Sequence, residues 1–374
     1  MKLKLLSFLI AIIFIFLVTA CEKQNDQSSS EAVSVVPESS SLPEASGDDD
    51  PNSYSLAFFL PANAADDPYY ALTRAGALKA TEDLKKQNIK VNFFDYKESD
   101  DESNIDLYDE VIKNKPDVVI DTFHLSKILV GKARIEGSYV VGANIHSYEK
   151  TYNEKKYYLD MICGFDNYGS GAAAREKIEE LLKSQGKTSG KFGIIGFNKS
   201  TNFTRDRETG FMYSSKEITF EGALNPVYTD GDKVKSQKTV AKLIEENEDI
   251  VGIFVSNGDA CEGAAMAISA AGLKDSIVLI GCGIQKRKYL EDGTIDAFIE
   301  VDPFELGYQA VVKSHDFLQD KTAMRKRKWK LGKKKEYIAE QVYIQSNIIT
   351  KGNAAAYYSR MQQYYKGDKY KDFF

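Results

Sequence analysis

Tyr54-Ser55-Leu56-Ala57-Phe58-Phe59-Leu60 is a short apolar run, and the amphipathic stretch Ala71–Gln87 follows it. The first reads as a buried strand and the second as a helix with Leu72, Ala75, Leu78 and Leu84 on one stripe. The beat continues with strand Lys90–Asp95, helix Ile105–Lys113, a break at Pro116, and strands Asp117–Asp121, Ser138–Asn144 and Tyr158–Cys163. It then restarts. Gly171–Ser184 reads as a helix, Lys191–Phe197 as a strand, and Arg205–Lys216 and Gln237–Glu246 as helices. Ile250–Ser256 is β-rich, Glu262–Ala271 is an Ala-rich helix, and Ile277–Gly281 is a strand. Asp296–Val301 is the last strand before helix Phe304–Gln319. Strands alternating with helices at this spacing predict parallel sheets covered on both faces. Two such runs predict an α/β protein of two doubly wound lobes. Ligands in such sheets sit at the carboxyl ends of the strands, so facing lobes would share one cleft.

Working outward to the N-terminus, Lys2 and Lys4 precede an apolar run from Leu5 to Val18, which closes in Val18-Thr19-Ala20-Cys21. A positive start, a short apolar core and small residues before the cut read as a secretory signal over residues 1–20. An uncleaved anchor helix is the alternative, since the run is nearly long enough to span a bilayer. Small residues before a cysteine resemble the bacterial lipobox. That resemblance implies that Cys21 becomes the lipidated first residue of a protein held at the cell membrane, facing the periplasm or exterior.

Residues 22–52 carry eight acidic residues and one basic one, with many serines and Pro37, Pro43 and Pro51. They offer too little apolar surface to offset the entropy of ordering, and residues 21–52 read as a flexible tether. The formal net charge of −6 is thus concentrated in the tether. The folded body is close to neutral, which gives no argument for nucleic acid as a partner.

Cys163, Cys261 and Cys282 are an odd number with no C-x-x-C spacing, and each sits among apolar or small residues. They read as small buried side chains. With three histidines and no ligand spacing to a cysteine, no metal site is expected. No P-loop, G-x-S-x-G elbow or metal motif is present, and no cofactor is expected. Eight Lys or Arg between Arg325 and Lys335, around Trp329, read as a solvated loop that could also meet anionic lipid.

Several segments resemble, in order, those of type I periplasmic solute-binding proteins, especially the sugar-binding branch related to ribose-binding protein. They are Asp67-Pro68-Tyr69-Tyr70; Phe165-Asp166-Asn167 with Gly169; Arg205-Asp206-Arg207-Glu208-Thr209-Gly210-Phe211; Asn257-Gly258-Asp259-Ala260 with Gly263-Ala264; and Asp302-Pro303 with Gly307. The resemblance implies three crossings between lobes, near Gly164–Asp166, Val301–Pro303 and Ala339–Tyr343. Residues 53–164 with 303–338 would form lobe 1, and 165–302 with 339–374 lobe 2. Residues after Asn353 would pack as a helix on lobe 2.

The same resemblance implies the ligand set. Tyr69 and Tyr70 would supply flat faces for a sugar ring, and Asp67 its first polar contact. Arg205 would supply a fork of donors, and Asn257 an amide that both donates and accepts. Ordinary packing at a helix start is the other reading of Tyr69, and a surface charge beside Asp206 that of Arg205. The chain departs from the family pattern at Gly283, where an aspartate is usual, and at Val301, where a glutamine is usual. His124 and His146 stand where an aspartate and an arginine are usual, and count as candidate contacts. The function implied is a monomeric, lipid-anchored substrate-binding protein that delivers a small polar ligand, a sugar, to an ABC permease. The alternative is a receptor of the same fold presenting its ligand to a chemoreceptor or sensor kinase. An enzyme is not expected.

Overall fold

The computed structural model describes residues 53–62, 64, 67–97, 101–122, 127–144, 159–214, 223–320 and 340–364. The expected signal, Cys21, the tether, His124, His146 and the basic run 325–335 lie outside them.

The first sheet contains β1 (Tyr54–Leu60), β2 (Ile89–Asp95), β3 (Val118–Asp121), β4 (Tyr139–Ala143), β5 (Met161–Phe165) and β11 (Glu340–Ile344), in the order β11-β5-β4-β3-β1-β2. Every pairing in it is parallel. The second contains β6 (Lys191–Gly196), β7 (Val227–Tyr228), β8 (Ile250–Val255), β9 (Val278–Cys282), β10 (Ala297–Ile299) and β12 (Ile348–Thr350), in the order β12-β10-β9-β8-β6-β7. Only the β10–β12 pair is antiparallel. Parallel strands buried on both faces read as continuous apolar runs, which is why β1, β6, β8 and β9 were legible in the sequence.

Leaving aside the last strand of each, both sheets have the order 2-1-3-4-5. In that order the direction of winding reverses between the first and third strands, opening a crevice there. The crevices lie beyond β1 and β3 in lobe 1, and beyond β6 and β8 in lobe 2.

Helices α1 (Pro68–Asp83), α2 (Asp101–Lys113), α3 (Lys127–Ile135) and α9 (Pro303–Gln319) serve the first sheet. Helices α4 (Asn167–Ser184), α5 (Asn202–Tyr213), α6 (Lys233–Glu246), α7 (Gly258–Ala270), α8 (Arg287–Glu291) and α10 (Ala354–Gln362) serve the second. The Asp-Pro pairs at 67–68 and 302–303 start α1 and α9. In each the aspartate accepts from a backbone N–H of the first turn and the proline fills a position needing no donor. Two helix pairs cross at backbone distance. A Cβ on Gly76 or Gly307 would strike the opposite backbone of α9 or α1, and one on Gly171 or Gly210 that of α5 or α4.

The chain passes between lobes after β5, after β10 and at residues 345–347. The third crossing follows β11 instead of preceding it. Residues 340–344, assigned above to lobe 2 within 339–374, therefore extend the first sheet, because Glu340–Ile344 pairs in parallel register with Met161–Phe165. The crossings are tied together. Glu300 N donates to Asn347 O at 2.7 Å, Asn347 Nδ2 returns to Glu300 Oε2 at 2.6 Å, and the Ser170 and Ser346 hydroxyls lie 3.0 Å apart. Arg360 of α10 pairs with Glu300 and, at 3.2 Å, with Asp302.

Cys163, Cys261 and Cys282 are free and buried. Cys261 packs beneath Gly281, while Cys282, the next residue of β9, points to the other face of the sheet, so these two cannot pair. Burial pushes the Cys163 thiol up to about 12.

Candidate functional site

Tyr69 and Tyr70 begin α1, directly beyond the carboxyl end of β1. Their rings meet edge to face at 5.1 Å. The Tyr69 hydroxyl donates to Asn144 Oδ1 at 2.7 Å, and Tyr70 engages the same amide. Asn144 follows β4 with φ of 57°, a left-handed conformation that asparagine tolerates better than most residues. It thereby turns its amide onto the tyrosine pair. Burial, then Asp67, hold the Tyr70 phenol up at about 12. Burial raises that of Tyr69 as well, with the second-lobe cation Arg207 opposing. Both phenols are neutral donors at physiological pH. Asp67 is exposed, and its Oδ1 accepts from Tyr69 N at 2.8 Å. One of its oxygens is committed to capping α1.

The second lobe contributes Arg207, which is 6% exposed. Nε donates to Asn167 Oδ1 at 2.8 Å, Nη1 donates to Ser256 O at 2.7 Å, and the guanidinium lies 5.0 Å from the Phe203 ring. Each partner comes from a different element: Asn167 from the start of α4, Ser256 from the end of β8, and Phe203 from α5 itself. The Gly171–Gly210 crossing lets α4 and α5 approach closely enough for the Arg207–Asn167 bond. Asn257 follows Ser256 as the residue capping α7, but its side chain makes no capping bond. Its Oδ1 is buried without a partner. Gln285, in the loop after β9, is 1% exposed and its Oε1 is likewise unpartnered. Its Nε2 reaches Gly283 O at 3.4 Å, and Tyr358 of α10 donates to its backbone oxygen at 2.6 Å. A buried polar atom without a partner costs about 1–3 kcal/mol, so Asn257 Oδ1, at the carboxyl end of β8, calls for a donor supplied from outside, whereas the Gln285 amide is packed against Gly281 beside Cys261.

Arg205 stands on the solvent side of α5, exposed, and its guanidinium bonds Asn202 one turn earlier. Arg207 occupies the inward position instead. On a 3.6-residue helix Phe203, Thr204, Arg207, Glu208 and Phe211 share one face while Arg205 and Thr209 lie on the other. That periodicity was available in the sequence, as was the alternative Arg-x-x-Gly-Phe alignment Arg207-Glu208-Thr209-Gly210-Phe211. Asn167 lay inside a quoted motif. Asn144 carried no local signal, because its role comes from a loop after β4 that returns to the start of α1.

Glu208, at the other edge of that buried face, reaches β7. Its Oε2 accepts from Tyr228 at 3.0 Å, Oε1 is buried without a partner, and burial pushes its carboxyl up to about 7.

Residues 57–322 match the family described as periplasmic binding protein domain. The chain is 23% identical over 313 residues to the ribose import binding protein RbsB of Bacillus subtilis (strain 168), covering 82% of this chain and 91% of that relative. AraP, an arabinose binding protein from Geobacillus stearothermophilus, superimposes with a TM-score of 0.65 at 19% identity, covering 82% of this chain and 99% of AraP. The sugar-binding protein of a Bacillus halodurans sugar ABC transporter does so with a TM-score of 0.66 at 19% identity, covering 82% of this chain and all of that one.

Proposed function

Because the chain belongs to the periplasmic binding protein domain family, whose relatives named above are sugar-binding transport proteins and not enzymes, we propose that it is the lipid-anchored, extracytoplasmic substrate-binding protein of an ABC importer. It takes a small polar ligand, a sugar, into the crevice between the lobes. The observation that carries this reading is the buried Arg207 guanidinium, bonded to Ser256 O beside Asn257, whose Oδ1 is buried without a partner. Both stand on one lobe, and Tyr69 and Tyr70 stand on the other.

A polyol satisfies such a site. Its hydroxyls donate to Asn257 Oδ1 and accept from Arg207, while its C–H faces lie against the tyrosine rings. In this reading Arg207 takes the part first expected of Arg205, and Asp67 contributes at the rim. His124 and His146, which follow β3 and β4 in the sequence, remain candidates. Three chain crossings and the Arg360 bridge form the hinge about which the lobes close. Cys21 carries the lipid, and the following acidic segment spaces the body from the membrane facing the periplasm or exterior, where a permease receives the ligand from a monomer.

A thermal-shift screen against sugars, polyols and nucleosides tests it, since a ligand bound only by the folded state raises the midpoint. Titration calorimetry on the best hit should return a stoichiometry of one. No shift from any sugar or polyol would refute the sugar reading.

A further inference from the structure

The charge of the crevice says more about the ligand than its shape does. Arg207 is a buried cation whose two hydrogen-bonded partners, an amide oxygen and a backbone carbonyl, are both neutral. Among the described residues no carboxylate pairs with it. The nearby acids are engaged elsewhere or turned away. Asp67 and Asp166 each accept a backbone N–H at a helix start and are exposed. Asp206 is drawn first to Arg205 and only then to Arg207. Glu208 faces Tyr228. Two other arginines among the described residues with buried side chains are treated differently: Arg134 is paired with Asp160 and Arg175 with Glu179. A buried charge left with dipoles alone is costly, and a protein keeps one where a counter-charge arrives. Three of the five guanidinium N–H bonds, including both on Nη2, remain unspent.

We propose that the ligand is a monoanionic polyhydroxy acid, a sugar carboxylate, whose carboxylate pairs with Arg207 while a hydroxyl donates to Asn257 Oδ1. This deepens the solute-binding reading and rests on it. The two functional groups answer two separate observations. A carboxylate cannot donate to the unpartnered Asn257 oxygen, and a hydroxyl cannot neutralise the guanidinium. A single unpaired cation matches one carboxylate better than a doubly charged phosphate. The planar fork of arginine also fits a carboxylate by two parallel bonds.

Matched pairs isolate the charge. D-Galacturonate against D-galactose, and D-glucuronate against D-glucose, differ only in carrying a carboxylate in place of a hydroxymethyl group. By calorimetry on the wild-type protein, at least one acid should bind tenfold or more tightly than its parent. In Arg207→Gln that advantage should fall below threefold. Should Arg207→Gln not fold, wild-type affinity is compared at about 0.05 and 0.5 M salt, where the acid should weaken severalfold and its parent should not. Parents binding as tightly as the acids, or an acid advantage surviving in folded Arg207→Gln, overturns the anionic ligand and leaves the sugar reading standing. If neither acids nor parents nor any other polyol binds, both readings fall.

Discussion

Gly171→Ala tests the helix crossing that seats Arg207. A Cβ on Gly171 would lie 2.7 Å from the Arg207 carbonyl carbon and 2.9 Å from Phe211 N, and closer still to the Arg207 oxygen. Carbon–carbon contacts are comfortable at about 3.5–4.0 Å, so the helices must part by about 1 Å. The obstacle is backbone on a packed helix and cannot rotate away. Overpacking of this kind costs about 1–3 kcal/mol, with the upper half expected here. Alanine returns up to about 1 kcal/mol as the better helix former, leaving a net loss of about 1–2 kcal/mol. Gly131 provides the control, since it lies inside α3 with nothing within 4 Å of an added Cβ. There the same substitution should stabilise by about 0.5–1 kcal/mol. Urea unfolding followed by circular dichroism measures both. The two variants should differ by about 1.5–3 kcal/mol, in opposite directions from wild type. Equal midpoints would refute the claim that close approach, and not conformational freedom, keeps glycine at 171. Because the displaced group is the Arg207 carbonyl, Gly171→Ala should also weaken ligand binding, which Gly131→Ala should not.

Glu208 is held at about 7 against an ordinary 4.5 by burial. The native state therefore keeps a proton that the unfolded chain has lost between those values, and stability falls as pH rises from about 4.5 to 7, then levels. After allowance for screening the drop is about 1–2 kcal/mol, and Glu208→Gln should abolish it in urea midpoints taken across that range. On the best-binding sugar, Asn257→Ala should cost tenfold or more in calorimetric affinity and Arg205→Ala less than twofold, and the reverse order would restore Arg205 to the site. Replacing Cys21 with Ala should release the protein from membranes or leave an unprocessed precursor on fractionation, whereas unchanged membrane attachment would exclude lipid as the anchor. The three buried thiols should react with an aromatic disulfide reagent only after unfolding, so rapid labelling of native protein would contradict their burial.

The sequence by itself determined the α/β class, the two doubly wound lobes and most of the strands. Those features follow from local rules: continuous apolar runs make strands buried on both faces, and the Asp-Pro pairs at 67–68 and 302–303 start helices wherever they occur. It also placed Tyr69, Tyr70 and Asn257 at strand ends, because the order of motifs carries that information. The tertiary structure alone decided the rest. Edge strand β7 has only two residues, too few for any period, and exists because β6 offers it an open edge. The third crossing moved beyond Ile344 because β11 found register against β5, a choice made by a partner some 180 residues away. Cys261 and Cys282 were separated by the two faces of one sheet, which no count of cysteines reveals. Arg207 lies on the buried side of α5 and Arg205 on the exposed side because an α-helix turns its face within two residues, and which side is buried depends on how α5 crosses α4. Asn144 met the Tyr69 hydroxyl because the ends of β1 and β4 come together only in the folded sheet, and such convergence is not a property of any local stretch of chain.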